Sequence, residues 1–186
     1  MSLVTPTLET ARLILYPLQI SDAYQVQVLF PHWEIVQYLN NRVPWPFPPD
    51  GVYTFYRDVA LPAVENGTAW EWTLRLRSDP ERVIGAISLR KSEIDNRGFW
   101  LGLAWQRMGL MTEACDAVTS FWFDTLGFDL LRVSKAVSNI ASRKMSIKQG
   151  MRVVSVEERD YVCGRLPAEI WEITAEEWKV RRIQGS

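Results

Sequence analysis

A glycine-containing turn near the middle of the chain has residue types and spacing that can bind phosphate. The segment Gln106 to Thr112 follows an apolar, strand-like run, Gly98 to Leu103, and precedes apolar residues at helical spacing, Ala114 to Leu126. A helix is therefore predicted to begin near Gly109. The first-turn amides of a helix have no partner within it, and the helix dipole is positive at that end. The backbone at this junction can therefore bind an anion.

Two charged residues belong to this junction. Arg107 carries a planar guanidinium that suits phosphate, although a solvated surface charge is an equally good interpretation. Glu113 is predicted to complement the positive end of the helix, and we assign it a structural rather than a catalytic role. Because ordinary strand-to-helix turns also contain glycine, the turn by itself does not specify a function.

The chain has few residues for other kinds of catalytic site. One histidine, His32, and two distant cysteines, Cys115 and Cys163, give no triad, zinc or disulfide pattern. Cys115 is predicted to pack within the helix that follows the turn, and Cys163 to lie on a late strand. We therefore expect no metal, and a chemistry that uses carboxylates, hydroxyls, backbone amides or a bound cosubstrate.

Composition favours a compact α/β protein. A length of 186 residues with 47% hydrophobic content suits one core, so a single domain over residues 1–186 is expected. The net charge of -1 does not favour nucleic acid as a partner. Residues 1–6 lack the features of a secretory signal, and no apolar run is long enough to cross a bilayer. We expect a cytoplasmic protein without a membrane partner.

Hydrophobic periodicity and turn residues predict the elements that position the junction. Strands are expected at residues 12–16, 70–76, 82–90, 98–103, 131–137, 152–162 and 169–175, and helices at 21–30, 33–39, 51–65, 109–126 and 140–149. The proline-rich segment 43–50 is predicted to be a stiff loop, and residues 78–81 a turn. Three antiparallel strands would therefore lead into the phosphate-binding turn.

Four motifs, taken in order, resemble the GNAT superfamily of acyl-CoA-dependent N-acyltransferases, and in particular its RimJ/RimL-type branch. The residues GFWLG (98–102) and GLMTEA (109–114) resemble that branch's GYWLG and GxGYMTEA runs. LETARLIL (8–15) resembles its TERLxLRPL run, and PWPF (44–47) resembles its P-[YW]-P-[FY] loop. SNIAS (138–142) with KQGM (148–151) resembles its N-x-x-S and K-x-G-F segment. The chain departs from the pattern at Arg107, where the branch usually has glycine, and at Met111, where the superfamily usually has Gly or Ala.

The resemblance implies a GNAT fold, which is an α/β domain with a mostly antiparallel, centrally splayed sheet flanked by helices. It also implies acetyl-CoA as cosubstrate and direct transfer of an acetyl group to a primary amine. Pantetheine would then lie beside Phe99, Trp100 and Leu101, whose backbone groups must be free of a neighbouring strand. The alternative is a fully paired strand with Trp100 in the core.

The resemblance also assigns the CoA-binding residues. They are Phe99, Trp100, Leu101, Arg107, Met108, Gly109, Leu110, Met111, Thr112, Asn139 and Ser142. The amide of Leu101 would stabilise the oxyanion of the tetrahedral intermediate, and Ser142 would protonate the leaving thiolate. Asn139 would bind pantetheine, although capping of the following helix is an alternative use of its side chain.

A general base is needed because an amine must lose a proton before it attacks a thioester. Asp160 matches a carboxylate that RimL-like proteins carry on the strand after the motif helix, and it is the first candidate. Glu93 and Asp95 are the other candidates. All three are also explained as ordinary surface charges.

The acceptor is the least defined part of the prediction. The branch includes enzymes that act on protein N-termini, polyamines, antibiotics and small amines. By resemblance, the acceptor side is walled by Trp45, Phe47, Tyr161 and Arg165. Aromatic walls and one cation favour the α-amine of a peptide or protein over a polyamine, which would need several carboxylates. Alternatively, Trp45 and Phe47 only pin the loop to the core.

Two other classes of function remain open. One is an acyl-CoA sensor or partner-binding module that has lost catalysis, and the other is an RNA-binding accessory protein. Turnover distinguishes the enzyme from the sensor, and salt-dependent RNA binding would indicate the third class. The sequence is also compatible with a homodimer.

Overall fold

A computed structural model describes residues 4–184 of the chain. Residues 1–3, which belong to the segment expected to lack a secretory signal, lie outside the described residues. Two antiparallel sheets form the centre of the fold. The first has the order β1-β2-β3-β4-β5 and the second the order β6-β8-β7. The strands are β1 (Leu8–Glu9), β2 (Leu13–Pro17), β3 (Ala69–Leu76), β4 (Asp79–Arg90), β5 (Arg97–Leu101), β6 (Leu130–Ala136), β7 (Arg152–Tyr161) and β8 (Gly164–Thr174).

Seven α-helices surround the sheets within the described range, residues 4–184. They are α1 (Ala23–Leu29), α2 (Trp33–Val36), α3 (Gly51–Phe55), α4 (Leu61–Glu65), α5 (Leu110–Ser120), α6 (Ile140–Lys148) and α7 (Ala175–Gln184). A π-helical turn, Tyr56–Ala60, joins α3 to α4, and another, Phe121–Thr125, extends α5. Within residues 4–184, no helix has the length and apolar character that a bilayer span requires.

Strand alternation gives the five-stranded sheet two apolar faces. On the first, which we call the α5 face, Trp72, Leu74 and Leu101 pack against Leu110 and Val118 of α5 in the main core. The opposite side, which we call the α1 face, has its own core. Residues of α1 and of the α3–α4 helix form it with Val83, and Trp100 packs at its edge. Both faces of the sheet are therefore covered where β5 approaches the turn that precedes α5.

The structure confirms the predicted GNAT-type architecture and most of the predicted elements. The first hairpin differs, because β4 already begins at Asp79, inside the predicted turn. Cys163 is exposed in the turn between β7 and β8 rather than on a strand. The sequence analysis also missed α7, whose Trp178 is buried in the main core. This short amphipathic helix lies directly after a strand, where the apolar pattern of the strand concealed its start.

Candidate active site

The turn between β5 and α5 has the backbone conformation of an anion-binding loop. Arg107 and Gly109 both have positive φ angles, 64° and 76°. The left-handed backbone conformation costs a non-glycine residue roughly 1–2 kcal/mol, so the turn is locally strained at Arg107. α5 begins at Leu110 with Gly109 as its N-cap residue, as the sequence predicted.

Free donors converge at this turn. The first intrahelical hydrogen bond of α5 runs from the Glu113 amide to the Gly109 carbonyl, 3.2 Å away. The amides of Leu110, Met111 and Thr112 therefore have no acceptor among the described residues. The Arg107 side chain is exposed, and within residues 4–184 it has no hydrogen-bond or ion-pair partner. Three amides and one guanidinium are thus available to an anion.

Glu113 fixes this turn to the edge of the sheet. Its carboxylate accepts hydrogen bonds from the Thr10 hydroxyl and from the Arg12 amide and Nε, the last two at 2.8 Å. Arg12 Nη1 also donates to the carbonyl of Met108 at 2.9 Å. Burial raises the pKa of Glu113, but these hydrogen bonds lower it more, so the net pKa is below its ordinary value. The structure thus supports the structural role predicted for Glu113.

A V-shaped gap separates β5 from β6. At its closed end, the Asn96 amide donates to the Arg132 carbonyl at 2.8 Å, and the Arg132 amide returns a bond to Asn96 Oδ1 at 2.7 Å. Buried Arg97 bonds to Thr119 of α5 and to Gln149 after α6. β5 then pairs only with β4, and β6 only with β8. Beyond the closed end the two strands do not pair with each other, although Gln106 Nε2 donates to the Leu101 carbonyl and the Ser134 amide donates to Asp95 Oδ1, both at 2.9 Å.

The register of β4 and β5 decides which backbone groups face the gap. Gly102 donates to Ile84 at 2.8 Å, and Arg90 donates to the Asn96 carbonyl at 2.9 Å. Hydrogen-bonded pairs alternate in an antiparallel ladder, so the intervening Phe99 and Leu101 point their amides into the gap. Trp100 instead pairs with β4. The prediction that the backbone of Trp100 is free of a neighbouring strand is therefore wrong. The Trp100 side chain packs against Phe30 on the α1 face, with ring centroids 5.3 Å apart.

Helix α6 begins at the open end of the gap. Asn139 is its N-cap residue, and Oδ1 accepts a hydrogen bond from the Ser142 amide at 3.3 Å. The capping role is therefore observed, and the Nδ2 group stays available for another partner. Ser142 is buried on the inner side of α6 rather than facing solvent.

The three proposed bases lie in different environments. Asp160 is exposed on β7, and its nearest cation is Arg165 Nη1 at 4.0 Å. Asp95 accepts from Ser134 and Arg159. Burial raises the pKa of Asp95, but these bonds and the Arg159 charge lower it more, so its net pKa is below the ordinary value and it is a weak base. Glu93 lies in the exposed connection between β4 and β5.

The sequence analysis did not single out Glu71, which is partly buried, or Lys135, which is buried. Glu71 of β3 lies on the α1 face, opposite Ser88 of β4, which is itself opposite Gly98 of β5. Burial raises the pKa of Glu71 to about 7, and the Arg90 charge partly opposes this shift. The second residue is Lys135 of β6, at the gap. For Glu71 the signal in the sequence was a charge between Trp70 and Trp72, whereas Lys135 continues the alternation of Leu131 and Val133 along β6.

The predicted acceptor walls come from distant segments that the fold brings together in part. The turn after β7 bonds to the segment after α2, with Val162 and Cys163 donating to Leu39 and Gln37 at 3.0 and 3.1 Å. Tyr161, at the end of β7, is buried there, and Arg165 is exposed.

Trp45 and Phe47 have different surroundings. Trp45 is 43% exposed and lies beside Trp33. Phe47 packs on Phe30 with centroids 5.1 Å apart, which supports the pinning interpretation for this residue. Trp45 is therefore the better placed of the two to meet an acceptor. In the described part of the chain, no cluster of His, Cys, Asp or Glu side chains has the arrangement of a metal site.

The family-model comparison agrees with this geometry. The model for the acetyltransferase (GNAT) domain matches residues 12–152, which is more than half of the chain. The chain therefore belongs to the GNAT family of acetyltransferases. Comparison with curated protein sequences gives no significant match.

Solved structures share the fold at low sequence identity. The ribosomal-protein-S5-alanine acetyltransferase from Vibrio fischeri is 15% identical, with a TM-score of 0.77, covering 93% of this chain and 98% of that one. RimL, a ribosomal L7/L12 α-N-protein acetyltransferase in complex with CoA, is 15% identical with a TM-score of 0.74, covering 91% and 98%. The microcin C7 self-immunity acetyltransferase MccE, in complex with acetyl-CoA and AMP, is 17% identical with a TM-score of 0.72, covering 89% and 93%.

Proposed function

We propose that this protein is an acetyl-CoA-dependent N-acetyltransferase that transfers the acetyl group directly to a primary amine. One observation carries the proposal. The free edge of β5, with the amides of Phe99 and Leu101 facing the gap, leads directly into the unpartnered amides of α5. An extended amide-containing chain that ends in pyrophosphate is complementary to this succession of donors.

The CoA part of the site divides into two sections. The amides of Leu110, Met111 and Thr112, with Arg107 beside them, would bind pyrophosphate. Met108 and Gly109 shape the turn. The edge of β5 that carries the amides of Phe99 and Leu101 would bind pantetheine as a substitute strand. RimL and MccE, which have the same fold, are described with CoA and acetyl-CoA, respectively.

Acetyl transfer requires stabilisation of an oxyanion, protonation of the leaving thiolate and removal of a proton from the amine. The Leu101 amide would donate to the carbonyl oxygen as it becomes negative, and the Phe99 amide faces the same gap. Ser142, buried at the start of α6, would protonate the leaving thiolate, and Asp160 would take the proton of the amine. Glu71, which lies two strands from Gly98 of β5 on the α1 face, is a second candidate base, because burial raises the pKa of its carboxyl to about 7, close to the value that base catalysis favours at neutral pH.

Ligand binding and turnover test the proposal in sequence. A ligand that binds only the folded state raises the melting temperature by mass action, so millimolar CoA or acetyl-CoA should raise it. Release of free thiol from acetyl-CoA with a panel of amines then tests catalysis. Unchanged melting together with no heat of binding would overturn the CoA site. Binding without turnover on the whole panel would indicate a sensor instead.

We further propose that the acceptor is the α-amine of a peptide or protein. The support is the exposed Trp45, the buried Tyr161 and the cation of Arg165 around the joined segments described above. A polyamine would need several converging carboxylates instead. Matched assays with N-terminal peptides, spermidine and an aminoglycoside should give the highest kcat/KM for a peptide. A higher value for spermidine or the aminoglycoside than for every peptide would refute this choice.

A further inference from the structure

Lys135 places an amine over the gap, on the side of the sheets that α5 covers. Its side chain follows Leu131 and Val133 on the same side of β6 and is only 7% exposed. Its Nζ lies 4.6 Å from the centroid of the Phe99 ring, which belongs to the opposite strand, β5. Among residues 4–184, Nζ has no hydrogen-bond or salt-bridge partner. The lysine therefore spans the gap without a counterion.

The charged groups around Lys135 are engaged elsewhere. Arg97 of β5 bonds to Thr119 and Gln149, and Asp95 before β5 is held by Ser134 and Arg159. Cys115 of α5 is a neutral neighbour, because burial raises the pKa of its thiol. None of these groups pairs with the ammonium.

Burial, with a smaller contribution from the charge of Arg97, lowers the pKa of Lys135 to about 8, although the charge of Asp95 opposes the shift. A substantial fraction of this side chain is therefore a neutral amine between pH 7 and 8. A neutral amine is the nucleophile that attacks a thioester, whereas an ordinary surface lysine is almost fully protonated in this range.

We propose that Lys135 is a site of self-acetylation, in which its Nζ accepts the acetyl group of acetyl-CoA bound between β5 and β6. The inference rests on the proposed function of this gap. The lone pair of the neutral Nζ attacks the thioester carbonyl carbon, forming a C–N bond as the C–S bond breaks. The nitrogen loses one proton and CoA leaves as the thiol. The products are Nζ-acetyllysine and CoA, and no redox partner is needed.

Acetylation would change the gap in two ways. It removes a buried charge that has no counterion, which stabilises the neutral side chain in its apolar surroundings. It also adds a bulky amide beside Phe99, where pantetheine would lie. The modified protein should therefore bind CoA more weakly, so that the reaction limits itself to one turnover per site.

The other lysines of the chain provide internal controls. Lys91, Lys144, Lys148 and Lys179 are all exposed, so reagent from solution reaches them before Lys135. The full-length protein is incubated with trideuteroacetyl-CoA, digested and mapped by mass spectrometry. We expect label at Lys135 at least about tenfold above the mean of the exposed lysines, and unlabelled acetyl already present at Lys135 also counts as support.

The pH dependence separates acetylation of Lys135 by bound acetyl-CoA from chemical acetylation of exposed lysines by acetyl-CoA in solution. From pH 7 to 8.5, the neutral fraction of a lysine with the pKa of Lys135 rises about eightfold, whereas that of an ordinary lysine rises about thirtyfold. Label at Lys135 should follow the smaller increase. Equal labelling of buried and exposed lysines, or an unmodified Lys135 after incubation at pH 8.5, would overturn the proposal.

Two variants make the failure of each proposal distinguishable. Gly109→Val, which disturbs the phosphate-binding turn, should remove label from Lys135 and leave the exposed lysines unaffected. Lys135→Arg should remove the label while circular dichroism shows a folded protein. If CoA fails to raise the melting temperature of the wild type, the proposed function fails. If CoA binds and Lys135 stays unmodified, only the self-acetylation is refuted.

Discussion

The two faces of the five-stranded sheet assemble their residues in different ways. On the α5 face, β5, the turn and the first turn of α5 form one continuous segment, and its contacts are mostly backbone groups. By contrast, Glu71 on the α1 face, Trp45 in the loop before α3 and Tyr161 at the end of β7 come from segments far apart in the chain. The proposed cosubstrate site therefore depends on local backbone geometry, whereas the proposed acceptor site depends on side chains that only packing brings together.

The largest expected effect concerns the base on the α1 face. If Glu71 removes the proton, Glu71→Gln should lower kcat by about 10² to 10⁴-fold with little change in CoA affinity. Asp160→Asn is the matched alternative, since Asp160 is exposed and lies on the other sheet. Steady-state kinetics with a saturating amine measure both variants.

The pH profile assigns the base further. A base must be deprotonated to act, so activity that depends on Glu71 rises as pH rises through about 7, the pKa to which burial raises its carboxyl. An N-terminal amine also titrates near pH 8 and contributes to the rise of activity with pH. The part of that rise due to Glu71 is the part that is lost in Glu71→Gln. A normal kcat in Glu71→Gln and a strong loss in Asp160→Asn would confirm the assignment made from the sequence instead.

The second effect concerns the turn on the α5 face. Gly109→Val should abolish the rise in melting temperature caused by CoA, because its side chain displaces backbone donors that bind a charged group. Losing about two such hydrogen bonds weakens binding by about 100-fold or more. Calorimetric titration measures the change.

A matched glycine corrects this result for backbone strain. Gly127 has a similar φ of 72°, and a Cβ there would meet nothing within 4 Å, compared with φ of 76° at Gly109. The substitutions Gly109→Val and Gly127→Val should each cost roughly 1–2 kcal/mol of folding stability. Only Gly109→Val should lose CoA binding, and equal CoA affinity in the two variants would contradict the phosphate-binding role.

A third prediction uses Lys135 to test the apolar character of the gap. Lys135→Met should stabilise the fold by on the order of 2 kcal/mol at pH 7, because it removes a buried ammonium whose pKa is lowered. The cost of the ammonium is complete below the folded pKa of about 8 and disappears as pH rises toward the unfolded value, so the gain should shrink above pH 8. Urea unfolding at several pH values measures it. Exposed Lys144→Met is the control, and a Lys135→Met variant less stable than wild type would contradict the prediction.

The smallest effect concerns the support of the turn. Glu113→Gln weakens the contacts with Arg12 and Thr10 and should lower CoA affinity by about fivefold, on the order of 1 kcal/mol. The net pKa of Glu113 is lowered, so its stabilisation is present above about pH 4.3 and is lost as pH falls below it. Glu157→Gln, on exposed β7, is the control. An unchanged affinity and an unchanged acid limb of melting would refute this role.

Several features were predictable because short-range rules decide them. The position of Gly109, the start of α5 at Leu110 and the cap at Asn139 follow from glycine, helix periodicity and capping chemistry. The resemblance to GNAT proteins gave the splayed sheet, which the two separate sheets confirm. The family model confirms the class of protein.

The glycine-containing junction before α5 and the resemblance to the family were both readable from the sequence, because both depend on contiguous residues. Only the tertiary structure decided which amides of β5 face the gap, because this depends on the register with β4. It also decided the burial of Glu71 and Lys135 and the joining of the turn after β7 to the segment after α2. These outcomes depend on desolvation and on contacts between residues distant in the chain, and no local pattern of residue types encodes either.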